Sequence, residues 1–321
     1  MSIAQVNSKS VKEAAQILCA GGVVAFPTET VYGLGADAYN AIAVARIFEI
    51  KNRPHFDPLI VHVADPADVE RLAHISETAR ILMKQFWPGP LTLVLKKKPG
   101  IPDLVVSGLD TIAVRMPAHP AALDLIRAAN TPVAAPSANP FGYLSPTTAV
   151  HVEEQLGSKV PMILDGGSCQ TGVESTIVDL SGEVPKLLRP GGIETEAIEK
   201  LIGALGKNKA SAKPSAPGQL EQHYSPRKPL RILSENEMLS HRQLTKAGLL
   251  LFREPQKMIS CQSVEVLSKS GDLREAAANL FSALHRLDHS PAEIIFAEPV
   301  SEFGLGAAIM DRLCRASATF K

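Results

Sequence analysis

GKNKASAKPSAPGQLEQHYSPRKP, residues 206–229, decides how this chain is read. The stretch is rich in Lys, Ser, Ala and Pro and almost free of large apolar side chains. It cannot bury enough surface to fold alone, so it reads as a linker. On that reading residues 1–205 form one domain, 206–229 the linker, and 230–321 a second, smaller domain.

Upstream, helix and strand signals are mixed. Ser10 with Glu13 reads as a capping box for a helix through Ile17 and Leu18, ending at Gly21-Gly22. Val23 to Phe26 is a short buried strand closed by Pro27. Asn40 to Lys51 carries helical spacing through Ile42, Ala45 and Phe48. Strands are expected at 91–95, 112–114, 133–135, 162–164, 176–180 and 186–188, with a helix at 120–130. This order fits an α/β domain with a mixed sheet. Downstream, strands near 230–232, 249–252, 264–267 and 294–297 alternate with an amphipathic helix (Leu273, Ala276, Leu280, Leu284, Leu287) and a final helix at 307–318. A small three-layer parallel fold is expected there.

The totals exclude several classes. Of 321 residues 45% are hydrophobic, enough for one large core or two ordinary ones. Lys plus Arg equals Asp plus Glu at 33 each, which argues against nucleic-acid binding by bulk charge. The cysteines, Cys19, Cys169, Cys261 and Cys314, lie far apart without a C-x-x-C pair, so reduced thiols are expected rather than zinc or disulfides. The amino terminus lacks a signal-peptide pattern, and no apolar run approaches the roughly 20 residues that cross a bilayer. A cytoplasmic protein without membrane contact is expected.

Familiar nucleotide and hydrolase fingerprints are missing: no G-x-x-x-x-G-K-[ST], no strand followed by G-x-G-x-x-G, no G-x-S-x-G and no H-E-x-x-H. Polar residues instead gather at strand ends beside Pro and Gly. Pro27-Thr28-Glu29-Thr30-Val31-Tyr32-Gly33-Leu34-Gly35 fits an anion-holding loop and a Gly-rich turn equally well. Lys51-x-Arg53 beside Pro54 fits a polyphosphate clamp, although such a pair alone is usually solvated surface. His62, in an apolar strand, reads alone as a satisfied core histidine. Arg115 ends an apolar strand, where an unpaired guanidinium is costly, so it requires a carboxylate or an anionic ligand. Ser137-Ala138-Asn139, Ser145, Glu174-Ser175-Thr176 and Arg189-Pro190-Gly191-Gly192 complete the set. Together they suit a cleft for a small anionic substrate and a nucleotide.

Lys51-x-Arg53, Ser137-x-Asn139 and the P-T-E-T-V-Y-G-L-G block at 27–35 resemble the YrdC family. His223-Tyr224-Ser225-Pro226 and the closing Gly304-Leu305-Gly306-x-Ala308-Ile309-x-Asp311-Arg312-Leu313 resemble its long, two-domain threonylcarbamoyl-AMP synthases, so the likeness spans nearly the whole chain. The resemblance implies a YrdC-like twisted mixed sheet with helices around a concave cleft, plus a small Rossmann-like three-layer α/β/α C-terminal domain. It implies a nucleotidyltransferase: L-threonine and bicarbonate give N-carboxy-threonine, whose carbamate attacks the α-phosphate of ATP and expels pyrophosphate. A downstream tRNA threonylcarbamoyl-transferase complex would use the product, with any contact between tRNA and this chain weak or indirect.

Carried over by position, Thr30, His62, Arg115, Ala135 and Ser175 would bind L-threonine. Lys51, Arg53, Asp57, Thr111, Ser137, Asn139, Ser145, Arg189 and Tyr224 would bind ATP, with Lys51 and Arg53 catalytic and Tyr224 a lid. Mg²⁺ would accompany ATP, without a protein metal site of its own. Two rivals stand beside this reading. One is RNA docking on Lys96-Lys97-Lys98 and the linker. The other is a carbamoyl-adenylate enzyme of hydrogenase maturation, which would carry zinc-finger-like and acylphosphatase modules not found in this sequence.

Overall fold

The computed structural model describes residues 2–207, 215–220, 223–256 and 259–318. Parts of the expected linker, 208–214 and 221–222, lie outside the described residues.

Eleven strands make one mixed sheet: β1 Ser2–Gln5, β2 Val24–Phe26, β3 Gly33–Asp37, β4 Ile60–His62, β5 Leu91–Lys96, β6 Thr111–Arg115, β7 Val133–Ala134, β8 Met162–Asp165, β9 Thr176–Asp179, β10 Lys186–Arg189 and β11 Gly206–Lys207. Their order across the sheet is β1-β8-β2-β3-β7-β4-β6-β5-β9-β10-β11. At its centre β4 runs parallel to β6, and β6 is antiparallel to β5, whose other neighbour β9 is parallel.

Side chains alternate faces along a strand, so each central strand serves two environments. Leu91, Leu93 and Leu95 of β5 and Ile112 and Val114 of β6 point into the main core beneath the helices. Burying each contributes roughly 1.5–3 kcal/mol. The opposite face carries Ile60, Val94, Ala113, Ile177 and Leu188, and the residue that closes over this small cluster is Ala216 of the linker. One face of the sheet thus meets helices, and on the other Ala216 of the linker closes the small cluster.

Local chemistry explains the helix ends. Asn7, rather than Ser10, caps Ser8–Cys19: its side chain accepts from Lys9 and Ser10 N–H, and Ser10 Oγ accepts from Asn7 N–H. Ser10 therefore supplies the return half of the box that it was expected to start. Asn40 caps Ala41–Lys51 in the same way, and the αL conformation of Asn52 ends it. Gly33–Asp37, which begins in the block that fitted an anion-holding loop or a Gly-rich turn equally well, is a strand paired with β2 and β7.

Four further strands, β12 Leu230–Ile232, β13 Ala247–Leu251, β14 Ser263–Val266 and β15 Ile294–Ala297, form a parallel sheet in the order β12-β15-β13-β14. Helices Leu273–His289 and Gly306–Ser317 pack on the face carrying Leu230, Leu250 and Ile295. Met238, from the helix Glu235–Ser240, packs with Leu249 and Phe296 on the other. This is the expected three-layer arrangement. Among the described residues no helix is long and apolar enough to cross a membrane.

Candidate active site

The linker-covered face holds a cleft of about 540 Å³, lined by strand ends of the large sheet and by Pro217, Gly218, His223 and Tyr224. At one end stands Arg115, the last residue of β6. Its Nε donates to Gly89 O (3.3 Å) and its Nη1 to Thr30 Oγ1 (3.0 Å), while Nη2 lies 2.6 Å from Glu29 Oε1. The carboxylate required by a buried strand-end guanidinium is therefore Glu29. His62 is its register partner on β4, edge-on to Phe26. Burial first, and Arg115 second, depress the His62 pKa to about 3, so the imidazole is neutral. Ala135 and Ser175 complete this end; Ser175 Oγ shares a 2.7 Å hydrogen bond with Thr92.

Arg53 and Ser137 line the other end, and Arg189, bonded to Ser175, stands between the two. Arg53 is fixed through Nε and Nη2 by the carbonyls of Asp57 and Pro58 and by the Asp57 carboxylate at 2.8 Å. Arg189 donates through Nε and Nη2 to Ser175 O, and through Nη1 to the linker carbonyl of Pro217 (3.3 Å). Its strand end must pass close to the segment before β9: a Cβ on Gly191 would lie 2.4 Å from Glu174 O.

Tyr224 adopts a left-handed backbone, with φ of 62°. Its ring packs on Phe281 and lies 5.0 Å from the guanidinium of Arg312. Its hydroxyl passes so near Gly218 that a Cβ there would sit 2.6 Å from the oxygen, and Gly218 itself has φ of 80°. Glycine is required at 218 on both counts. Arg312, from the last helix, is fully buried; Nε donates to Glu174 Oε2 (2.7 Å), and Glu174 Oε1 accepts from Ser145 Oγ (2.5 Å). Burial pushes the Glu174 carboxyl up, but Arg312, Arg189 and Ser145 outweigh it and hold it below the usual carboxylate range.

Family models match both units: one described as telomere recombination, of the Sua5–YciO–YrdC group, over residues 16–191, and one described as the C-terminal domain of threonylcarbamoyl-AMP synthase over 193–318. The threonylcarbamoyl-AMP synthase of Pyrococcus abyssi is 45% identical, across 98% of this chain and 95% of its own; that of Bacillus subtilis is 43% identical, across 97% and 94%. The crystal structure of P. abyssi Sua5 with L-threonine superposes with a TM-score of 0.92 at 42% identity, covering 99% of this chain and 98% of that one. The chain belongs to the two-domain threonylcarbamoyl-AMP synthase family.

In this member of the synthase family, all five residues expected at threonine line the cleft: Thr30, His62, Arg115, Ala135 and Ser175. Arg53, Ser137, Arg189 and Tyr224 of the ATP set also line it. The others stand back. Lys51, expected on the polyphosphate, points its buried ammonium at the carbonyls of Ser137 and Asn139. Burial, then Arg53, lowers its pKa well below the ordinary lysine value. Its place is behind the Ser137 loop, which it anchors. Asp57 sits behind Arg53, and Ser145 behind Glu174. Asn139 ties its own loop through Pro140 and Tyr143 carbonyls, both at 2.9 Å. Thr111 shares the cleft side of β6 with Ala113 and Arg115 but lies at the strand's far end, beside Lys96.

Sequence reasoning did not assign site roles to Thr28, Glu29, Glu174, Pro217, Gly218, His223 or Arg312. Thr28, Glu29, Glu174, His223 and Arg312 lay inside the quoted motifs, which was the available signal. Among the described residues no group of three His, Cys, Asp or Glu is placed to hold a metal ion. The nearby carboxylates of Asp57 and Glu174 pair with Arg53 and Arg312. Lys97 pairs with Asp103 and Lys98 donates to Glu70 O, as in an ordinary solvated edge.

Proposed function

We propose that the chain joins L-threonine, bicarbonate and ATP into L-threonylcarbamoyl-AMP and pyrophosphate, the first step toward N6-threonylcarbamoyladenosine in tRNA. The observation that carries this reading is one cleft with Arg115, Thr30 and Ser175 at one end, Arg53 and Ser137 at the other and Arg189 between them, under a single tyrosine cover. ATP enters with Mg²⁺ as part of the substrate, and the ion supplies charge neutralisation on the phosphates. The domain limits at 205 and 230 belong to the same proposal, as does a cytoplasmic setting beside the tRNA-modifying complex, although Gly206 and Lys207 still pair with β10 as the sheet's edge strand.

The nucleophile is the carbamate formed on the substrate, so the protein supplies no serine or cysteine for attack. Arg115 grips the threonine carboxylate, with Thr30 and Ser175 offering hydroxyls to its polar atoms. Neutral His62 shapes this end: with a pKa near 3 it is too weak a base to strip an ammonium proton efficiently. Arg53 and Arg189 face charge developing on the phosphorus and the departing pyrophosphate, and Lys51 holds the Ser137 loop that faces them. Tyr224 and His223 keep water from the labile acyl adenylate.

The test is to incubate purified protein with L-threonine, bicarbonate, Mg²⁺ and ATP labelled on its α-phosphate. Pyrophosphate release that requires both threonine and bicarbonate, with a labelled threonine-containing adenylate, is expected. Release of orthophosphate, or no dependence on threonine, would sink the proposal.

A further inference from the structure

Glu29 has no part in the reaction as assigned, yet it faces the Arg115 guanidinium at the threonine end. Its Oε1 is 2.6 Å from Arg115 Nη2, with the two side chains 10% and 4% exposed. The contact is bent, and neither atom has a partner in hydrogen-bond alignment. Glu29 is anchored from behind: Oε2 accepts from Ala118 N–H (3.1 Å), and its carbonyl accepts from Thr171 N–H (2.7 Å). Arg115 is held by Gly89 and Thr30 as well. Of its five N–H groups, Gly89, Thr30 and Glu29 face one each, leaving one on each Nη for a ligand carboxylate.

The consequence is electrostatic. A lone arginine in a pocket of low dielectric would attract any small carboxylate. Balanced by Glu29, it forms a pair with no net charge, and His62 beside it is neutral. Of the other cations near the cleft, Arg189 reaches Ser175, while Lys51, Arg53 and Arg312 stand farther along, with Asp57 and Glu174 among them. A plain carboxylate would bring an uncompensated charge out of water to the Arg115 end. A zwitterion brings none, and its ammonium meets an environment that already holds the Glu29 carboxylate.

We propose that Glu29, by neutralising Arg115, is the residue that makes this end select a zwitterionic amino acid over a simple hydroxy-carboxylate. The proposal rests on the threonine reading above. It assigns Glu29 a charge-setting role and requires no contact between Glu29 and the reacting atoms.

Calorimetric titration of the full chain with L-threonine and with 3-hydroxybutanoate, the same skeleton without its amine, decides it. Wild-type protein should prefer threonine by at least about tenfold. In Glu29→Gln that preference should shrink by about tenfold, through tighter 3-hydroxybutanoate as well as weaker threonine. Glu29→Asp, with the charge drawn back by one methylene, should lose about threefold, and it carries the test if the glutamine variant does not fold. An equal weakening of both ligands would show that Glu29 merely props Arg115, and would overturn the inference. An unchanged preference in either variant, or wild-type protein that binds both ligands alike, would overturn it too. Wild-type protein that binds neither would remove the threonine reading itself, and this inference with it.

Discussion

The two ends of the cleft are built differently. The Arg115 end belongs wholly to the N-terminal unit: Thr30, His62, Arg115, Ala135 and Ser175 sit on or beside neighbouring strands, backed by the helix-covered core. The Arg53 end is composite. Arg189 reaches the linker at Pro217, Tyr224 closes from above, and Arg312 of the last helix braces Glu174 and the tyrosine ring. A small substrate needs a fixed grip, and rigid strands supply it. A nucleotide that enters and a pyrophosphate that leaves need a cover, and a linker clasped by two units can be released without unfolding either. The comparison predicts that damage at the first end stays local, whereas damage at the second spreads to the linker and the small unit.

The sharpest way to break it is Arg115→Ala, which leaves Glu29 unpaired and removes the proposed carboxylate grip. The expected loss is about a thousandfold in kcat/KM for threonine, with KM for ATP within about threefold. Pyrophosphate-release kinetics with each substrate varied in turn would show it. Arg53→Ala should lower kcat about a hundredfold and move the threonine Kd less than about twofold; full turnover at saturating ATP would contradict the role given to Arg53.

Arg312→Ala probes the composite end through stability. It leaves Glu174 buried without its main partner, at a cost of about 3 kcal/mol in urea unfolding. KM for ATP should rise while threonine binding holds, and an equal loss of threonine binding would erase the distinction between the ends.

The smallest effect concerns the seam between the units, where His151 and His285 stack with centroids 3.9 Å apart and His285 Nε2 meets Ser145 O at 3.2 Å. Burial depresses their pKa values to about 3 and about 4; His289, Arg286 and Arg227 nearby act in the same direction, and Asp288 against it. In the unfolded chain both rings take protons near pH 6.5. Their contribution is therefore complete above that value and is lost as the pH falls from 6.5 toward 4. Between pH 7 and 5 the melting midpoint should drop more steeply in wild type than in a His151→Asn/His285→Asn variant. Equal slopes would place the acid sensitivity elsewhere.

Much of this was legible in the residues. Apolar runs marked β2, β5, β6, β9 and both long helices of the small unit, because burial on one face imposes the spacing that sequence displays. Polar residues at strand ends were visible for the same reason. Strand β3 was hidden: Gly33 and Gly35 fitted a loop or a turn, but a Cβ on Gly35 would lie 2.7 Å from both Phe26 and Val133, so here glycine serves close packing. Ser10 was misplaced in its cap because Asn7 and Ser10 offer the same hydrogen-bond chemistry one turn apart. Lys51 looked like a phosphate ligand because charge is visible in sequence and direction is not.

By itself the sequence determined an α/β unit, a linker, a smaller α/β unit and the set of polar groups available for chemistry, since these follow from local patterning and composition. Only the tertiary structure decided which charges face one another. It gave Glu29 to Arg115, Glu174 to Arg312, and Lys51 to the carbonyls of Ser137 and Asn139. Those partners lie tens to more than a hundred residues apart. Whether a buried charge meets a ligand, a carboxylate or a carbonyl depends on distances that only the folded sheet and its docked neighbour create.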